Sequence, residues 1–113
     1  MSNQFRPILS LGVIAGGALA ACRFITPAGA YPAAGADTLG VTRTPALASG
    51  DRVLVDVMGT AAVEAGAAIT AGAEVEVLAD GRITPKASGK ARGKALEAAS
   101  GAGKVIEVLL YAY

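Results

Sequence analysis

Few side chains in this 113-residue chain are capable of chemistry, and their types exclude most of it. There is no histidine and one cysteine, Cys22. A Ser-His-Asp or Cys-His mechanism therefore lacks its general base. A zinc site of ordinary spacing lacks its ligands, and no disulfide can form within the chain. The nine acidic residues are scattered. Only Glu74 and Glu76 lie two apart in an alternating segment, which puts both carboxylates on one strand face. Such a pair suits cation binding or acid–base work, but carboxylates on a strand face are ordinarily just hydrated. Gly101-Ala102-Gly103 has the glycine spacing of a phosphate turn, yet no helix follows to present its N-terminus. Lys90-Ala91-Arg92-Gly93-Lys94 lacks the strand–loop–helix frame of a phosphate loop. No catalytic constellation is legible, so the chain is read as a non-enzyme without cofactor or metal.

Charge narrows the partners. The formal net charge is +1, whereas a nucleic-acid backbone demands clustered Lys and Arg. The one basic cluster, Lys86, Lys90, Arg92 and Lys94, is interleaved with Gly and Ser and has no stacking aromatics. It reads as a solvated loop or a patch for an acidic protein surface, and no nucleic-acid partner is expected.

The start of the chain suggests a different compartment. Residues 8–21 are apolar, follow Arg6 and end in Leu19-Ala20-Ala21-Cys22, which matches a bacterial lipobox. A surface lipoprotein carrying a small β domain is thus the alternative reading. Against it, the positive region is a single Arg followed by Pro7, and Gly12, Gly16 and Gly17 are poor in a helix. The chain also begins at Met1, so cleavage at Cys22 is not expected. The run is shorter than the roughly 18 residues that span a bilayer, so no membrane partner is expected. Cys22 is read as a small buried apolar residue.

The elements follow from turn chemistry and alternation. Hydrophobic residues make up 53% of the chain, mostly Ala, with aromatics at 4%; fifteen Gly and five Pro indicate many tight turns. Residues 5–10 alternate around Pro7, which suits an extended arm or edge strand. Strands are expected at 19–26, 39–42, 52–58, 74–79, 82–84 and 104–111, with 60–64 continuing 52–58 past Gly59 as the other half of a bent strand. Asp80-Gly81 marks a hairpin. Residues 94–98 fit strand or helix by pattern. Their match to the segment around Val41 selects strand, because turn and strand signals recur in order about 52 residues apart. The expected fold is all-β, a small barrel or sandwich of short strands built from two similar β units. The domain reading is an extended N-terminal arm over 1–10 and one β domain over 11–113, with a pseudo-repeat over about 15–57 and 71–110.

Surface is what remains to carry function. The extended start, with Phe5, Pro7, Ile8 and Leu9, and the apolar end, with Tyr111 and Tyr113, are either core or docking elements. As docking elements they add a strand to a neighbour or insert as arms.

The residues also carry a resemblance. A-G-G-A-L-A-A-C-R-F-I, G-V-T, S-G-D-R-V-L-V-D-V, G-T-A-A-V-E-A-G-A-A-I-T-A-G, D-G-R-I-T-P and K-V-I-E-V-L-L occur in that order. The chain resembles the capsid cement, or head decoration, proteins of tailed bacteriophages over roughly residues 8–110, most tellingly over 50–85. The resemblance implies a structural virion protein on the outer surface of the capsid, assembled in the host cytoplasm. It implies bridging of neighbouring major capsid proteins on the expanded shell. It further implies a homo-oligomer, a trimer or alternatively a dimer. Phe5, Pro7, Ile8, Leu9, Tyr111 and Tyr113 are then the expected capsid or subunit contacts.

Overall fold

A computed structural model describes residues 6–111 of the chain. These form eight strands and no helix: β1 (Arg6–Ile14), β2 (Phe24–Ile25), β3 (Gly40–Thr42), β4 (Arg52–Glu64), β5 (Glu74–Val77), β6 (Ile83–Pro85), β7 (Gly93–Ala95) and β8 (Val105–Leu110). They make one curled, half-barrel sheet in the order β2-β3-β4-β8-β7-β5-β6, with β1 paired to β4. The expected all-β class is what the chain adopts.

The long strand β4 organises the molecule. It pairs antiparallel with β1, β3 and β8. Val53, Val55, Ala61 and Val63 are fully buried, each burial of a Val being worth roughly 1.5–3 kcal/mol. Gly59 lies between them at φ 96°, a conformation that costs glycine little and other residues more. Ahead of it, Val53 and Val55 join Ala15, Leu19, Ile25 and Ala46 in one cluster. Beyond it, Ala61 and Val63 join a larger cluster with Phe24, Val75, Ile83 and Val108. One bent strand thus serves two adjoining cores.

The two β units are visible in the hydrogen bonds. The Ala15 and Ala65 amides donate to Asp51 and Lys104 carbonyls, both at 2.7 Å. Leu19 and Ala46 exchange two backbone bonds, as do Ile69 and Ala99. Arg43 donates to the Leu54 carbonyl and Leu96 to that of Glu107. Strand pairing agrees: Ile14 opposes Arg52 as Glu64 opposes Val105, and Val41 opposes Asp56 as Lys94 opposes Leu109. Unit 1 is therefore β1, β2, β3 and the first half of β4. Unit 2 is the second half of β4 with β5, β6, β7 and β8. The second unit opens inside β4 rather than at Ala71, because Ala65 to Ile69, not the residues from Ala71, make the bonds made by Ala15 to Leu19.

Two sequence expectations are corrected. The strand expected over 19–26 is reduced to Phe24–Ile25 plus an isolated bridge from Leu19 to Ala46. Cys22 interrupts it at φ 63°, a left-handed conformation incompatible with a continuous strand. The extended segment expected over 5–10 runs on to Ile14, where its apolar alternation pairs with β4 instead of forming a leader-like block.

Candidate contact surface

The two ends of the described chain converge on one residue. Arg6, at the start of β1, is opposite Thr60, and so is Leu109, near the end of β8. The polar side chains around this point are held by one another. Thr60 Oγ1 donates to Glu107 Oε2 at 2.8 Å. Ser10 Oγ donates to Asp56 Oδ1 at 2.8 Å, and Arg43 Nη2 reaches the same carboxylate at 2.6 Å. The large apolar side chains are not covered in this way. Leu9, Met58 and Leu109 are 41%, 38% and 40% exposed, with Leu9 directly opposite Met58. A surface with tied polar groups and open leucines and methionine is suited to burying apolar area against another protein.

Of the expected contact residues, Pro7 and Ile8 lie in β1 beside this point. Pro7 is opposite Gly59, and Ile8 lies at the register shift between Pro7 and Leu9. A bulge here twists β1 and discourages indiscriminate strand pairing at its edge. Phe5 and Tyr113 lie outside the described residues. Tyr111 is committed within the chain: its amide donates to the Arg92 carbonyl, its carbonyl accepts from Arg92 Nη2, and its hydroxyl donates to Glu74 Oε2 at 2.9 Å. Met58 and Leu109 were not singled out from sequence. The signal was present, since alternation puts each on the outward face of its strand, beside Asp56 and Glu107.

The groups that suggested chemistry have structural tasks. Glu76 accepts from the Ala87 and Gly89 amides at 2.6 and 2.9 Å, and these bonds hold its carboxyl below its ordinary value. It fastens the 86–89 loop, so it is more than a hydrated surface carboxylate. Asp37 pairs with Lys90 and Arg92 at 3.0 and 3.1 Å, and the Lys90 bond is the main cause that lowers its own carboxyl. Arg92 is almost fully buried and also bonds Thr38. Asp37 thus ties down Lys90 and Arg92, two of the four basic residues, while Lys86 and Lys94 stay exposed. Burial pushes the Cys22 thiol up, with Glu64 adding to the effect and Arg23 opposing it. Leu19 is buried against Ala46 in the first core, whereas Ala20, Ala21 and Cys22 are half-buried, so Cys22 is not the fully buried residue expected from the sequence. Among the described residues, no three of the possible ligand side chains cluster to hold a metal ion.

Comparison with known proteins points in one direction. A family model described as phage cement protein matches residues 6–110. The crystal structure of the N base of the head fiber protein gp8.5 of bacteriophage phi29 is similar in fold. Its TM-score is 0.73 at 20% identity, and the match covers 92% of this chain and 94% of that one. No curated protein matches the sequence significantly.

Proposed function

The chain belongs to the phage cement protein family, and from that premise we propose that this capsid structural protein binds the outer face of the head. There it bridges neighbouring major capsid proteins and stabilises the expanded shell, acting as a homo-oligomer and not as an enzyme. The observation that carries the reading is the apolar patch of Leu9, Met58 and Leu109 where the ends of the described residues converge. Phe5, Pro7, Ile8 and Tyr113 extend that patch in sequence. Each large side chain buried there contributes roughly 1.5–3 kcal/mol. Many copies of one modest contact on a closed lattice hold far more strongly than any single copy.

Leu9→Glu and Leu109→Glu test the patch directly. Both residues already face solvent, so both variants are expected to fold with unchanged circular dichroism. Both are expected to lose binding to undecorated heads by at least about tenfold, the equivalent of about 1.4 kcal/mol. Full binding by both variants refutes the patch as the contact.

A further inference from the structure

We propose that copies of this chain join head to tail through a seam that repeats, between molecules, the junction between its own two units. This deepens the homo-oligomer reading above by naming the surfaces involved. The argument starts from the junction inside the chain. The head of unit 1, residues 22–24, sits on the tail of unit 2, residues 64 and 80–82. The Glu64 amide donates to the Cys22 carbonyl at 2.9 Å, and the Phe24 amide to the Gly81 carbonyl at 2.8 Å. Four charged side chains complete it. Arg23 pairs with Glu64 at 3.2 Å and donates to the Asp80 carbonyl; Arg82 pairs with Asp80 at 2.8 Å and approaches Glu64 at 3.7 Å.

The unit equivalence transfers each charged residue to a position that has no such ion pair within the chain, although the Gly29 carbonyl, the equivalent of that of Gly81, already accepts from the Gly16 amide at 2.9 Å. Glu64 corresponds to Ile14, since each closes its strand opposite Val105 or Arg52. Arg23 corresponds to Ala73, since their carbonyls accept from Thr42 and Ala95. Gly81 corresponds to Gly29, each at φ near 80° and each donating to the carbonyl three residues back. Asp80 and Arg82 beside it therefore correspond to Ala28 and Ala30. All four charged members of the internal junction are thus replaced by apolar residues. Ile14 is 51% exposed, and Ala28 and Ala30 are also exposed. This is the pattern of a junction that buries apolar side chains between molecules while its internal counterpart uses ion pairs. The charges at its margin are complementary. Arg52, exposed and opposite Ile14, belongs to the tail, and Glu74, exposed and next to Ala73, belongs to the head.

The occupant of each side is therefore a second copy. The tail of unit 1 (Ile14, Ala28, Ala30) of one molecule receives the head of unit 2 (Gly72, Ala73, Glu74) of the next. Such a contact is heterologous and gives a ring when its rotation closes. A three-copy ring would carry six units.

The test needs no capsid. In a Cys22→Ser background, the pair Ile14→Cys with Ala73→Cys is oxidised and resolved by denaturing electrophoresis. Covalent multimers from the double variant, absent from either single variant, are expected. Absence of multimers overturns the proposal, as does equal cross-linking by Ile14→Cys alone, which indicates a two-fold contact. Sedimentation gives an independent reading. The parent chain is expected to run as an oligomer, and Ile14→Glu as the 11.1 kDa monomer with unchanged circular dichroism. A parent monomer, or an Ile14→Glu oligomer, overturns the seam. Head binding by the same variants separates this failure from failure of the capsid reading. An Ile14→Glu chain that keeps its oligomeric mass but no longer binds heads assigns the tail to the capsid protein and overturns the seam as well.

Discussion

At the scale of single residues, the fold depends on a few positions whose chemistry is unusual. Asp56 is almost fully buried beside Arg43 at 2.6 Å and Ser10 at 2.8 Å. Arg43 keeps 31% of its side chain exposed, so Asp56→Ala chiefly removes charge-assisted hydrogen bonds and is expected to cost about 2 kcal/mol in urea unfolding. A cost below about 1 kcal/mol contradicts that role. Cys22 occupies the left-handed position that Gly72 occupies in the second unit; their amides donate to equivalent carbonyls, those of Thr42 and Ala95. Cys22→Gly is expected to leave the melting temperature unchanged or higher. Cys22→Val is expected to lower it, because a β-branched residue resists positive φ. The reverse order contradicts the strain. The sequence, which has no histidine, leaves Cys22 without the base of a Cys-His mechanism. It could not show the strain, because only the bonds of the folded unit reveal that a glycine position is filled by cysteine.

At the scale of elements, the loops over 33–38 and 86–92 act as one clasp. The Gly35 amide donates to the Val77 carbonyl and the Lys90 amide to that of Gly35, while Glu76 and Asp37 supply the carboxylates. Gly35 and Gly89 approach so closely that a Cβ on Gly35 would lie 3.0 Å from the Gly89 Cα. Both carboxyls are held below their ordinary values by bonds present only in the fold. Their contribution is therefore present above the unfolded-state value and lost as pH falls through the folded value. Acidification below the ordinary carboxylate range is expected to weaken amide protection at Ala87 and Gly89 before β4 loses protection. Simultaneous loss across loop and strand contradicts a separate clasp. Strands 52–57 and 105–110 were legible in the sequence because Val53, Val55, Ile106, Val108 and Leu110 alternate into the core, although Asp56 is buried on the opposite face. The clasp was not, since its basic residues looked solvated until Asp37, some fifty residues away, was brought beside them. Likewise β1 was obscured because its apolar run and Cys22 imitate a lipobox.

At the scale of the whole molecule, a two-unit β domain without legible catalytic groups presents the ends of its described residues and an apolar patch at one place. The repeat was visible in the order of turns, but its true phase needed the pairing of β4 with both β1 and β8. The family match over residues 6–110 gives that architecture its setting on a phage capsid. The most direct measurement is binding of the purified protein to expanded, undecorated heads of its phage, counted as copies per capsid. Saturation at a fixed multiple of the lattice sites, together with raised resistance of the decorated heads to heat, is the predicted result. No saturable binding to the cognate shell contradicts the cement role.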